Sequence, residues 1–327
     1  MIILEEMPIW INCLISLVTI VGIGIGAHCV VESASRLAKY IGISELSLGL
    51  TIVAFGTSAP EFTVTLISAF NTHGDIAVGN IVGSNNFNLG LILGGCAFLR
   101  RIPVSRTLVR RDGMILAGTA MLLLVLIGWD LHLDRHDGFI LFILLVVYLG
   151  ILFKKPTSPK TDNEDVDDSE VLTGRRNILM RASSLLILGL SGIIAGSYLL
   201  VGSATAIARE LGVSEWVIGV TIVAAGTSVP ELATSLVAVV KGRYAISAGS
   251  LIGSDIFNLL GVLGLAGMFQ PVCVDSTARI SLAALSGTIF LVVIFMRTGW
   301  RLSRMEGLLL FTIAILRWGL DLSTNFQ

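Results

Sequence analysis

The sequence predicts an all-α membrane protein of ten transmembrane helices, arranged as two inverted-topology repeats of five. Four observations carry that expectation. Of 327 residues, 54% are hydrophobic and only 14% charged, against about 25% charged in a soluble globular chain. Apolar runs of spanning length, about 20 residues, recur from end to end. The positive charges are partitioned: counting loops between those runs, every Lys and Arg except Arg135, Arg209, Arg279 and Arg317 falls on one side, as cytoplasmic loops require. The second half also repeats the first at a constant offset of 170 residues. Five spans per half is an odd number, so the second copy must enter from the opposite side.

The first apolar run gives a helix over 9–31. The preceding MIILEEMP is acidic and lacks the basic region and cleavage site of a signal peptide, so this segment is expected to stay as a span. A short basic loop with Arg36 and Lys39 leads to a second helix over 45–70, interrupted by GTSAPE at 56–61. The third, 76–99, carries GNIVGSNNFNLG; the arginine-rich stretch from Arg100 to Arg111 precedes the fourth, 113–129, and DLHLDRHD separates it from the fifth, 138–154. Then comes KKPTSPKTDNEDVDDSEVLTGRR, an acidic, aromatic-free stretch that reads as a solvated linker. The remaining helices are expected at 180–207, 214–240 (with GTSVPE at 226–231), 247–269, 280–296 and 304–323. The domain plan is a first repeat over 1–153, an acidic cytoplasmic linker over 154–178 and a second repeat over 179–327, with both termini outside the cell membrane.

Other function classes find no support. Net charge is −1 and no basic patch suggests nucleic acid. Cys13, Cys29, Cys96 and Cys273 show no paired or metal-ligand spacing. No nucleophile–base pair, metal-histidine motif or nucleotide loop marks an enzyme, and no cofactor is expected. The lipid bilayer is the expected surrounding, and a monomer the expected state.

The repeat is sharpest around the interruptions. ISELSLGLTIVAFGTSAPE (43–61) lies over VSEWVIGVTIVAAGTSVPE (213–231) with twelve of nineteen residues identical, and without a gap GNIVGSNNFNLG (79–90) lies over GSLIGSDIFNLL (249–260). Shared glycines suit close helix packing in lipid. A repeated glutamate does not, because a charge at that depth costs at least about 2.5 kcal/mol. Pro60 and Pro230 lack an N–H, so the carbonyls of Gly56 and Gly226 lose their helical partners. Such carbonyls are tolerated at membrane depth only where they line a polar cavity. Each break therefore offers main-chain oxygens, the hydroxyls of Thr57 and Ser58 or Thr227 and Ser228, and the carboxylate of Glu61 or Glu231. All are hard oxygen donors. Two carboxylates match one divalent cation, and calcium accepts such ligands in a forgiving geometry of six to eight oxygens at about 2.3–2.6 Å. In the second block Ser84 and Asn88, like Ser254 and Asn258, are four apart and share a helical face; hydroxyl and amide oxygens suit a weakly held monovalent ion beside the divalent one.

GTSAPE…GSNNFN and GTSVPE…GSDIFN resemble the two α-repeats of the cation/calcium exchanger superfamily, nearest its prokaryotic sodium/calcium exchanger branch. The resemblance runs through both halves and omits only the linker. It implies electrogenic exchange of calcium for sodium by alternating access. It implies that Glu61 and Glu231 are central calcium ligands with main-chain oxygens of Thr57 and Thr227. Ser58, Ser228, Ser84 and Ser254, with carbonyls near Ala54 and Ala224, would form flanking sodium sites, and Asn88 and Asn258 would complete the cluster. One departure stands out: some prokaryotic members carry aspartate where this chain has Asn258 and asparagine where it has Asp255. Positions 255 and 258 lie about 60° apart around a helix, so Asp255 either lines the same cavity as a third acid or pairs with a hydroxyl or amide beside it. His28 and Glu32 have Tyr198 and Gly202 as counterparts; gating and simple solvation are both open for them. Calcium/proton exchange, potassium coupling and, further off, a cation channel are the alternative functions.

Overall fold

The structure is a computed structural model and describes residues 7–153, 168–212 and 224–324. Helix α1 (Ile9–Ile41) runs well beyond the expected end at 31 and stops at Gly42, whose φ of 81° caps the helix in the left-handed region with its N–H on Ala38 O. The charges that marked a loop in the sequence lie on one face of a continuing helix. Val30, Val31, Ala34, Leu37 and Ala38 are buried at three- and four-residue steps, while Arg36 and Lys39 are exposed.

Helix α2 (Glu45–Thr57) starts at Ser44, whose hydroxyl accepts the Ser47 N–H at 3.0 Å. It ends at Ser58 (φ −78°, ψ 6°), and α3 (Ala59–Phe70) leaves at a 50° bend. Pro60 sits in the first turn of α3, where a missing N–H is harmless. Next come α4 (Gly74–Leu99), β1 (Ile102–Pro103), α5 (Leu108–Asp130), β2 (His132–Leu133) and α6 (Arg135–Phe153). The second half comprises α7 (Asp168–Glu210), α8 (Ala224–Thr227), α9 (Val229–Val240), α10 (Tyr244–Phe269), β3 (Val272–Cys273), α11 (Thr277–Arg297), β4 (Arg301–Leu302) and α12 (Arg304–Thr324). Of the expected linker, 154–167 lies outside the described residues, and α7 begins within the remainder, at Asp168. Of the expected seventh helix, 214–223 likewise lies outside; the rest is α8 and α9, broken at Ser228 (φ −90°, ψ 7°) much as α2 and α3 are at Ser58. Among the described residues, 7 helices are long and apolar enough to cross a membrane, or 8 with α2 and α3 taken as one bent span.

Wide i→i+5 turns interrupt α2 at Gly49–Val53, α4 at Phe87–Leu93 and α10 at Phe257–Val262. Such turns gather at functional positions because they re-aim side chains and loosen the backbone ladder. Here two of them contain Asn88 and Asn258.

Packing divides the molecule into two apolar clusters. The larger one joins α4, α5, α6, α10 and α11. The smaller joins Ile23, Ala27 and Val30 of α1 to Leu186 and Ile193 of α7, with Leu48, Val53, Ala238 and Ile246 where the pair rests on the rest of the bundle. The α1 and α7 backbones touch through glycine: a Cβ added at Gly26 or Gly189 would lie 3.1 or 3.0 Å from the other's carbonyl oxygen. Outward faces of α1 expose Leu14, Leu17, Val18, Val21 and Ile25, as a lipid-facing surface does.

The four short strands were not anticipated; two-residue ties leave no period-2 pattern to read. They pair across the halves, β1 with β4 (Ile102 opposite Leu302) and β2 with β3 (Leu133 opposite Val272). Ile102 and Val272 are themselves separated by the repeat offset. Flanking bonds follow the same rule: Val104 donates to Trp300 O and Val274 to Leu131 O, both at 3.0 Å. The two ties sit at opposite ends of α4. At its C-terminal end Arg100 Nη1 donates to Val240 O at 3.1 Å; at its N-terminal end the Asp275 N–H donates to Asp75 Oδ1 at 2.7 Å.

Candidate functional site

The two helix breaks converge. Glu61 and Glu231 occupy the first turns of α3 and α9, where helix N-termini favour negative charge, and both are 0% exposed. Their partners are crossed between halves. Ser228 Oγ donates to Glu61 Oε1 at 3.2 Å, and Ser58 Oγ donates to Glu231 Oε1 at 3.2 Å. Thr227 and Thr57 lie beside the same opposite glutamates. Ser254 Oγ lies 3.4 Å from Glu231 Oε1, 3.2 Å from Ala54 O and 3.3 Å from Thr57 Oγ1. Glu61, Glu231, Ser58, Ser228, Thr57, Thr227, Ser254 and the Ala54 carbonyl are thereby brought together.

The α4 and α10 segments supply a second crossed pair. Asn88 Nδ2 donates to Asp255 Oδ1 at 3.0 Å, and Asn258 Nδ2 donates to Asn85 Oδ1 at 2.9 Å. Asp255 therefore sits beside an amide of the cluster. Asn85 is a residue the sequence reading passed over, although the repeat offset that lays Asn88 on Asn258 also lays Asn85 on Asp255. Asn80, whose Nδ2 reaches Glu61 O at 3.3 Å and Thr65 Oγ1 at 3.0 Å, was also passed over. Its counterpart is Ser250, so the repeat gives no signal for it. Ser84 is buried and lines a cavity of about 290 Å³ that runs along α4 from Asp75 past Asn80 to Leu91, walled by α11 and α12 and by Ala225; neither glutamate is on its lining. Ala224 opens α8; its side chain lies outside the described ones.

What remains unsatisfied is chemically one-sided. Glu61 Oε2, Glu231 Oε2, Asp255 Oδ2, Asn88 Oδ1 and Asn258 Oδ1 are all buried without a hydrogen-bond donor. A buried polar atom left unpaired costs about 1–3 kcal/mol, and here every such atom in the cluster is an oxygen acceptor. A positive ion answers that set; a neutral ligand with donors and acceptors does not. No group of three or more His, Cys, Asp or Glu side chains converges among the described residues, so the donor set mixes carboxylate, amide and hydroxyl oxygens. That suits hard cations and not zinc or copper.

Asn85 is expected to matter structurally. Asn85→Leu strands Asn258 Nδ2 and withdraws the donor that reaches Asp255 O at 3.4 Å. The expected loss is about 1–3 kcal/mol of stability, measured by thermal unfolding in detergent, with weakened cation-dependent stabilisation.

Residues 11–154 and 182–317 match the family model described as sodium/calcium exchanger protein. The chain is 37% identical over 294 residues to the putative antiporter CaxA of Alkalimonas amylolytica, covering 86% of this chain and 89% of that one. It is 32% identical over 343 residues to the sodium/calcium exchanger MaX1 of Methanosarcina acetivorans, covering 94% and 98%. Its fold is similar to that of the sodium-calcium exchanger NCX_Mj soaked with Na+ and Ca2+, with a TM-score of 0.81, 28% identity and coverage of 94% and 97%. With both halves matched and the architecture common to almost the whole length, the chain belongs to the sodium/calcium exchanger family, and is a multi-pass helical membrane protein of a cation-exchanging kind.

Proposed function

We propose that the chain is a secondary antiporter exchanging calcium for sodium by alternating access. The observation that carries this reading is the pair of fully buried glutamates, one from each half, each held by a serine of the other half and each presenting a free carboxylate oxygen. One calcium ion bridging Glu61 and Glu231 balances their two charges, and Asn88, Asn258 and main-chain oxygens of Thr57 and Thr227 extend its shell. Sodium ions take the flanking oxygens of Ser58, Ser228, Ser84 and Ser254, with carbonyls at Ala54 and Ala224, weaken the calcium shell and displace it. Asp255 adds a third acid to the edge of this site through Asn88.

The proposed architecture is ten spans in two inverted repeats, 1–153 and 179–327, joined by a cytoplasmic linker over 154–178, with both termini outside and the monomer as the working unit. The crossed strand ties and crossed site bonds support the inversion. So does the placement of equivalent turns, since the α3–α4 turn lies at one end of α4 and the α9–α10 turn at the other. The α1–α7 pair, with its own apolar cluster and glycine contact, is the element proposed to slide over the remainder.

Calcium flux into vesicles under imposed sodium, proton and potassium gradients, each in turn, tests the reading. A sodium gradient drives uptake if the proposal is right. Uptake driven by pH alone in sodium-free vesicles makes the chain a calcium/proton exchanger acting through the same glutamates. A potassium requirement adds a third transported ion. Flux without saturable counterflow makes it a channel.

A further inference from the structure

We infer that Glu32 and Lys241 are positioning residues for transport: their ion pair straps α1 to the α9–α10 turn and holds one end of the ion path shut. This rests on the exchanger reading above. Lys241 Nζ lies 3.1 Å from Glu32 Oε2 and 3.1 Å from His28 Nε2, so one ammonium ties two residues a helical turn apart on α1. A second tie stands beside it. Glu45 Oε1 of α2 accepts from Ser35 of α1 and, at 3.0 Å, from Arg243 Nη1 of the same turn. Arg36 Nε, 3.3 Å from Glu32 Oε1, steadies the carboxylate from its own helix.

Location gives the pair its meaning. Lys241 follows Val240, whose carbonyl meets Arg100 just past the C-terminal end of α4. The cavity beside α4 that reaches Ser84 has Asp75 on its wall at the other end of that helix. A 26-residue helix is about 39 Å long, so the strap and the Asp75 end of the cavity are separated by roughly a bilayer. The repeat does not reproduce the strap: at the positions equivalent to His28, Glu32 and Lys241 the chain has Tyr198, Gly202 and Asn71, which form no ion pair. The acid–base pair therefore ties the Lys241 end of the bundle in a way that the repeat does not copy. Because α1 packs with α7 as a separate apolar unit, any sliding of that unit along the bundle must part Glu32 from Lys241.

The strap is partly exposed, at 40% for the Glu32 side chain and 22% for Lys241, and pairs of this kind bias an equilibrium by about two- to fivefold. An ion arriving at a closed end sees its affinity reduced by the fraction of molecules open there. In vesicles of both orientations, Glu32→Gln and Lys241→Gln are each expected to lower half-saturating calcium at the Lys241 side by about two- to fivefold, leaving the Asp75 side unchanged. The double variant is expected to match either single, since both remove one contact. Effects that add, or that are equal on both sides, overturn the inference. A second readout does not depend on transport: hydrogen–deuterium exchange of the reconstituted full chain is expected to rise at 239–246 in each variant and to stay level at 72–77. No rise at 239–246 overturns the strap even if calcium flux is normal, whereas absent flux with a clear rise faults the exchanger reading and leaves the strap standing.

Discussion

Glu61→Gln or Glu231→Gln is expected to bring sodium-driven calcium uptake in proteoliposomes down to background. Each substitution keeps the shape of the side chain and its bond to the serine of the opposite half, and removes one of the two charges proposed to hold the ion. A unit charge about 4 Å away in a medium of effective dielectric near 20 is worth about 4 kcal/mol, roughly a thousandfold in affinity, and a divalent ion feels the loss more strongly. Stability is expected to move the other way. Without calcium, two buried carboxylates carry a desolvation cost of several kcal/mol per ion, so either variant unfolds at the same or a higher temperature than the wild type. Added calcium then separates them. A ligand at a hundred times its Kd stabilises the native state by about 2.7 kcal/mol, and this rise belongs to the wild type alone. Calcium that protects the glutamine variants equally well would place the ion elsewhere.

Gly253→Ala is expected to cost about 1–3 kcal/mol in stability and most of the transport. Gly253 is where α10 crosses α2: a Cβ there would lie 2.7 Å from Leu50 O, 2.8 Å from Leu50 Cα and 2.8 Å from the Ala54 side chain. Two of those atoms are backbone and cannot turn aside, so the helices must separate. The separation falls one residue from Ser254, whose hydroxyl reaches Ala54 O at 3.2 Å and Glu231 Oε1 at 3.4 Å. Thermal unfolding and calcium flux on the same preparation read both effects. Retained flux at wild-type stability would mean that this crossing is looser than its geometry indicates.

The parts of the fold that the sequence made legible are those governed by lipid. A spanning run must be long and apolar, so the 7 or 8 spans among the described residues fall on expected runs, and proline with a buried acid located the breaks at Ser58 and Ser228. Helix ends were harder. Arg36 and Lys39 looked like a loop, because the charge of a helix that emerges from the bilayer resembles that of a turn; burial of Leu37 and Ala38 against the bundle keeps the helix going. At the site, Glu61, Glu231 and the serines beside them were legible because the repeat printed each of them twice. The same offset pointed to Asn85, but only once its partner was seen to be Asn258 rather than water. Asn80 left no trace, since its bond to the Glu61 main chain depends on how α3 folds back on α4. The Glu32–Lys241 pair joins residues 209 apart with no counterpart in the repeat, and nothing short of the fold brings them into contact.

The central claim is that two acids from opposite halves grip one divalent cation. Anomalous diffraction from crystals of the protein soaked in strontium, a heavier stand-in for calcium, tests it most directly. The account predicts a single strong peak between the two breaks, within about 2.3–2.6 Å of carboxylate oxygens from both Glu61 and Glu231, weakening as sodium in the soak is raised. A peak bound to one glutamate only, or held by Asp255 away from both, would contradict it.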